Sequence, residues 1–165
     1  MCLKVVKRDT INFNHVTTED KNYIAGFLDG DGSILTQLVK GSNYKYNFTI
    51  RVSIVFYQKT KKYWFLVKLR KILGIGELRQ KDDGTSDLTI TGFRPVKNFL
   101  VAFLPYIRLK NRLAKLVLEI LDKREKVQSQ ADFLEVCKLI DETATLTDSK
   151  TRKYTFTSVK AYLKE

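Results

Sequence analysis

Nine consecutive residues constrain the fold of this chain more than any others: Ile24-Ala25-Gly26-Phe27-Leu28-Asp29-Gly30-Asp31-Gly32. The run reads as an apolar helix that ends in carboxylates. Ala25 and Gly26 remove side-chain bulk, and Gly26 and Gly30 lie one helical turn apart on one face. A partner backbone can therefore approach closely, by the small-residue logic that brings helices together elsewhere. Asp29 and Asp31 arrive where the helix must stop. Gly30 and Gly32 break it there and free backbone carbonyls that the helix no longer uses. A carboxylate beside free carbonyls is a hard-oxygen arrangement suited to Mg²⁺. Taken alone, the nine residues also fit an ordinary core helix ending at a Gly-Asp-Gly turn. Upstream, Thr17 or Thr18 can cap the helix, and Glu19 and Asp20 favour the positive end of its dipole.

Beyond the motif the apolar period changes from helical to two. A strand is expected over 33–40, then a turn at Gly41-Ser42-Asn43. In 48–56, Phe48, Ile50, Val52, Ile54 and Phe56 point one way, and Thr49, Arg51, Ser53, Val55 and Tyr57 the other, which is a half-buried strand. A helix is expected over 61–73, with Trp64, Leu66, Leu69, Ile72 and Leu73 as its apolar positions and Gly74 past its end. Segments 77–81 and 87–91 flank the turn composition Asp82-Asp83-Gly84-Thr85. Helices then follow over 96–103, 109–121 and 131–144, a basic loop over 147–153, and a short last helix. The order is an α+β plan that leaves one face of an antiparallel sheet available for binding. Residues 1–17, with Lys4, Lys7, Arg8 and Asp9, read as a loose N-terminal arm, and 18–165 as one domain. Trp64 is assigned to the core, and the single histidine, His15, to the arm without a role.

Charge narrows the partner. The formal net charge is +12, and between Gly32 and Lys81 there are eleven Lys or Arg residues against one acid, Glu77. Such a field points to a polyanion, most often nucleic acid. These cations sit among strand-like segments rather than on one long amphipathic helix, and no apolar run has the length of a membrane span, so a membrane is not the expected partner. Cys2 and Cys137 are too few for a zinc site or a disulfide framework. With His15 alone, histidine-dependent nuclease chemistry is a poor fit.

The motif, through Ala25, Gly26, Asp29, Asp31 and Gly32, resembles that of the LAGLIDADG homing endonucleases. The resemblance extends through Gln58-Lys59-Thr60, the stretch Leu-Pro-Tyr-Ile-Arg-Leu-Lys ending at Lys110, Phe133-Leu134-Glu135-Val136-Cys137 and Asp148-Ser149-Lys150-Thr151-Arg152-Lys153. It covers about 23–153, with one insertion near Asp82 or Asp83, and is to the single-motif homodimeric members encoded in organellar group I introns. It implies an αββαββα core with a saddle-shaped antiparallel DNA-binding sheet, and cleavage of a long pseudo-palindromic duplex with short 3′ overhangs, promoting intron mobility. Carried over residue by residue, it implies that Asp31 binds the metal with help from the Gly30 carbonyl, and that Gln58 and Lys110 organise water and charge at the cut phosphate. Lys62 stands where the family has an arginine in that shell. Ala25, Gly26 and Asp29 fall at the dimer seam, and Lys150 and Lys153 at phosphate contacts.

The resemblance implies base-reading positions at Gln37, Asn43, Tyr44, Thr49, Arg51, Arg79, Lys81, Asp87 and Thr89. Leu35, Val39, Gly41 and Val55 also stand at such positions but offer no side-chain hydrogen bond, so the target is expected to differ from that of the family member the chain resembles. Arg51 and Arg79 are suited to guanine, whose O6 and N7 a guanidinium bonds together. The motif occurs once, so cutting two strands requires two copies of the chain. Two Asp31 carboxylates near a two-fold axis repel each other unless a divalent cation lies between them. Mg²⁺ is the implied cofactor, with Mn²⁺ able to replace it, and no small-molecule substrate is implied. The implied location is an organelle, chloroplast or mitochondrion. Two rival readings use the same scaffold: an RNA-binding splicing cofactor, and a DNA-binding protein that has lost cleavage.

Overall fold

A computed structural model describes residues 11–148 and 151–164. Helix α1 (Thr18–Asp31) leads directly into strands β1 (Gly32–Lys40) and β2 (Phe48–Lys59). Helix α2 (Tyr63–Leu73), strands β3 (Glu77–Gln80) and β4 (Thr85–Thr91) and helix α3 (Phe93–Phe103) repeat the pattern. Helices α4 (Asn111–Glu125), α5 (Gln130–Thr143) and α6 (Phe156–Tyr162) complete the chain. The four strands form one antiparallel sheet in the order β1-β2-β4-β3. The α+β plan and the αββαββα order are as expected. Among the described residues no helix is long and apolar enough to cross a membrane.

The period of two in β2 builds the core. Phe48, Ile50, Val52, Ile54 and Phe56 are all buried, together with Ile34 and Leu38 of β1 and Leu88 and Ile90 of β4. The helices cover this face of the sheet: Ile24, Ala25 and Leu28 from α1, Leu66, Leu69 and Leu73 from α2, and Val96, Phe99, Leu100 and Phe103 from α3. Thr17 caps α1, its hydroxyl accepting the Asp20 N–H at 3.1 Å, which settles the choice between Thr17 and Thr18.

Two expectations are corrected. Trp64 is 65% exposed, not core. The inner face of α2 runs through Leu66, Leu69 and Leu73, and a residue two before Leu66 lies about 200° around the helix, on the outer side. The other concerns residues 11–17, read as the end of a loose arm; residues 1–10 lie outside the described residues. From Ile11 onward the chain is packed: Phe13 and Val16 are buried, and Phe13 meets Phe99 and Phe103 edge-on with ring centroids 5.6 and 5.5 Å apart. Asn98 Nδ2 donates to the Ile11 carbonyl at 2.7 Å, and His15 Nε2 donates to the Ile72 carbonyl at 2.9 Å. His15 thus joins this segment to the end of α2.

Candidate active site and nucleic-acid surface

The face of the sheet away from the core is set by register. Gln37 lies opposite Arg51 and Val39 opposite Thr49 on β1 and β2; Val55 lies opposite Thr89, and Tyr57 opposite Asp87, which in turn faces Arg79. Gln37, Arg51 and Arg79 are exposed, and Thr49, Thr89 and Lys81 half-buried. Asn43 and Tyr44 are exposed in the loop between β1 and β2. A Cβ at Gly41 would stand 2.7 Å from the ring of exposed Tyr44, which would have to swing aside. Lys153 is exposed, its ammonium 5.5 Å from the Tyr154 ring centroid, and Lys150 lies outside the described residues. The outer face therefore presents a row of cationic and amide side chains.

Asp87 departs from this row. It is 1% exposed, and its carboxylate accepts from Lys81 Nζ at 2.9 Å, Arg79 at 3.1 Å and the Thr89 hydroxyl at 3.1 Å. It lies beneath the two cations rather than at the surface, so it aims Arg79 and Lys81 instead of offering an acceptor to a base. Burial pushes its pKa up, but the hydrogen bonds from Lys81, Arg79 and Thr89 outweigh burial and hold it below the ordinary value of 3.8. A lowered carboxylate pKa stabilises the fold above the unfolded-state value, and that stability is lost as pH falls through the folded-state value. Asp87→Asn is therefore expected to flatten the acid limb of the stability curve. Equilibrium denaturation as a function of pH checks this, and an acid limb identical to wild type would contradict it.

The second part of the site lies where α1 ends. Asp31 is exposed, and among the described residues its carboxylate has no hydrogen-bond or ion-pair partner. It stands on a ridge between two concavities. One is lined by Asp31, Tyr57, Gln58, Lys59, Lys61, Lys62 and Thr85. The other holds Gly30, Asp31, Gly32 and Lys110, with Leu109 and Thr147 beside them. Of the four residues expected to act together, Gln58 of β2 and Lys62 of the tight turn before α2 share the first concavity with Asp31, and Lys110 at the start of α4 shares the second with it. Lys59 and Lys61 were not singled out from the sequence, although their place beside Gln58 in a run of cations was the available signal.

The last turn of α1 is tied to the turn before α4. The Asp29 carboxylate accepts the backbone N–H of Arg108 at 2.8 Å, Leu109 at 3.0 Å and Lys110 at 2.9 Å. Lys110 Nζ donates to the Asp29 carbonyl. Asp29, expected at the dimer seam, is used within the chain. Ala25, expected there too, is wholly buried in the chain's own core. Gly26 and Gly30 are exposed, and a Cβ added at either meets nothing within 4 Å.

A family model described as LAGLIDADG endonuclease matches residues 24–116, more than half of the chain. The DNA endonuclease I-CreI of Chlamydomonas reinhardtii is 40% identical over 142 residues, 86% of each chain. The chain belongs to the LAGLIDADG endonuclease family. I-CvuI of Chlorella vulgaris, also a DNA endonuclease, is 35% identical over 143 residues, 87% of this chain and 89% of that one. A crystal structure of I-CvuI superposes with a TM-score of 0.84 over 88% of this chain and 93% of that one, at 34% identity. That protein was bound to the uncleaved I-CreI target in the presence of Mg, and a second I-CvuI structure holds its own target in the presence of Ca.

For this LAGLIDADG protein the donor set suits a hard divalent cation but is incomplete in one copy. Among the described residues no group of three or more His, Cys, Asp or Glu side chains converges. The partnerless Asp31 carboxylate and the backbone oxygens of the glycine-flanked helix end are all oxygen donors, which fits Mg²⁺ rather than zinc. A second Asp31 would have to come from a second copy.

Proposed function

We propose that this protein is a homing endonuclease that, as a homodimer, binds a long pseudo-palindromic duplex DNA and hydrolyses one phosphodiester in each strand. The observation that carries this reading is the partnerless Asp31 carboxylate, flanked by Gln58, Lys62 and Lys110, at the end of a helix whose outer face is open at Gly26 and Gly30. Apolar side chains stand exposed near both ends of that helix. Tyr23 and Trp64, 60% and 65% exposed, line a groove beside its first turns, and Leu109, 78% exposed, lies beside its last. Exposed apolar surface of this kind marks an interface, and a two-fold seam through Gly26 covers it.

The chemistry follows from the residue types. Asp31 and the Gly30 carbonyl would hold Mg²⁺, or Mn²⁺ in its place, which would supply a more acidic water and charge stabilisation at the cut phosphate. Lys110 stabilises the extra negative charge on the phosphate as water adds to phosphorus and the 3′ oxygen leaves. Lys62 adds a second cation. Gln58 orients a water and cannot take its proton, because an amide does not titrate near neutral pH. Among the described residues Asp148 is the one carboxylate besides Asp31 that lines either concavity; the proton is assigned to solvent.

Reading of sequence is separate from cutting. Gln37, Thr49, Arg51, Arg79, Lys81 and Thr89 face the major groove from the sheet, Asn43 and Tyr44 from the loop, and Lys150 and Lys153 hold phosphates. With +12 on each chain, affinity falls steeply with salt, log K against log salt having a slope of about −0.9 per phosphate neutralised. Cleavage leaves short 3′ overhangs and serves intron mobility in a chloroplast or mitochondrion. The test is to cut a randomised duplex library with Mg²⁺ and sequence the ends. One pseudo-palindromic sequence is expected. Absence of cutting, together with tight binding of structured intron RNA, would overturn this reading in favour of a splicing cofactor.

A further inference from the structure

We propose that Asp29 is a positioning residue for Lys110, and that it sets the distance between the cleaving ammonium and the Asp31 carboxylate. The proposal rests on the endonuclease reading above. Helix α4 begins without a side-chain cap and without an acid in its first turn. The turn that leads into it presents backbone N–H groups that also need acceptors. Asp29, on another helix, takes three consecutive ones, those of Arg108, Leu109 and Lys110, at 2.8, 3.0 and 2.9 Å. An ionised carboxylate is acceptor-only on both oxygens, which suits this nest of donors.

The turn that Asp29 grips is a preformed unit. Asn111 Nδ2 donates to the carbonyls of Leu104 and Ile107 at 3.2 and 3.0 Å, closing it internally. Ile107 and Leu113 anchor it in the core on either side, whereas Leu109, between them, is 78% exposed. At Lys110 itself apolar packing does not fix the turn, and the bonds to Asp29 do. Both ends of Lys110 meet that one residue: its N–H reaches the Asp29 carboxylate, and its Nζ the Asp29 carbonyl. Asp29 precedes Asp31 by two residues on the same helix end. The two charged groups that must face one phosphate are therefore related through a single joint rather than across the sheet. A misplacement on the ångström scale at such a joint is enough to slow catalysis about a hundredfold.

The test is a double-mutant cycle. Asp29→Asn, Lys110→Met and the pair are compared in single-turnover cleavage, target affinity and thermal melting, with amide hydrogen exchange at residues 108–110. Asp29→Asn keeps the shape of the side chain but turns an NH₂ toward backbone donors. It is expected to lower the cleavage rate about 10- to 100-fold while affinity changes less than about threefold, and to speed exchange at those amides. In the Lys110→Met background it should cost nothing further, because it acts through Lys110. An equal cost in both backgrounds, or a fall in rate that merely follows melting, would overturn the proposal in favour of a general structural role. Unchanged exchange would overturn it even if no DNA is cut. Loss of cleavage by wild type itself would contradict the endonuclease reading, and is told apart by the exchange data.

Discussion

Gly26→Leu is expected to turn the dimer into a monomer without weakening the fold of either copy. A Cβ at Gly26 meets nothing within 4 Å in the isolated chain, and the residue lies in the middle of α1, where replacing glycine favours the helix by up to about 1 kcal/mol. In a two-fold assembly the same side chain enters a seam built for backbone contact. Overpacking costs about 1–3 kcal/mol at each of two equivalent positions, or roughly 30-fold or more in dimer affinity. Double-strand cleavage at nanomolar protein should fall with it. Sedimentation velocity and thermal melting, run together, separate the two effects. A variant that remains dimeric, or one that melts early as a monomer, would contradict a seam at Gly26.

Asp31→Asn is expected to abolish cleavage and spare everything else. The carboxylate is exposed and has no partner among the described residues, so its loss leaves no buried group unsatisfied and melting should not move. It also removes a negative charge beside the phosphates, so target affinity should be equal or higher. The cleavage rate should drop about a thousandfold or more, because under the proposed function Asp31 would hold the ion that supplies charge stabilisation. Rapid-quench cleavage and a binding titration in calcium check the two halves. Cleavage within tenfold of wild type would remove Asp31 from the chemistry.

What was legible in the sequence was whatever local period or local chemistry encodes. The alternation from Phe48 to Phe56 gave the central strand and its buried face, and the motif gave α1 and its end at Gly32. What was missed depends on contacts far apart in the chain. Strand β2 runs on to Lys59 because polar Tyr57, Gln58 and Lys59 pair with Asp87, Ser86 and Thr85. Val55 alternates outward yet is buried, between Ser33 and Thr89 on the neighbouring strands. Helix α3 starts at Phe93, not 96, because Pro95 falls in its first turn, where a missing N–H costs nothing. Helix α4 starts at Asn111, not 109, because the preceding N–H groups are turned to Asp29.

The candidate site shows the same division. Asp31, Gln58, Lys62 and Lys110 were named from resemblance; Gln58 and Lys62 share one concavity with Asp31 and Lys110 the other, whereas the internal bonds of Asp29 and Asp87 could not be read from the sequence. Both carboxylates look like surface acids in the sequence. Only the approach of the 108–110 backbone in one case, and of Arg79 and Lys81 in the other, makes them internal partners of neighbouring residues.

The central claim is that each Asp31 of a homodimer cuts one strand. Wild type and Asp31→Asn, carrying different tags and co-expressed, can be purified through both tags as a mixed dimer. Given the target labelled on both strands and Mg²⁺, that mixed dimer should produce single-strand nicks, and EDTA should stop them. Double-strand breaks by the purified mixed dimer, or nicking that persists in EDTA, would contradict the claim.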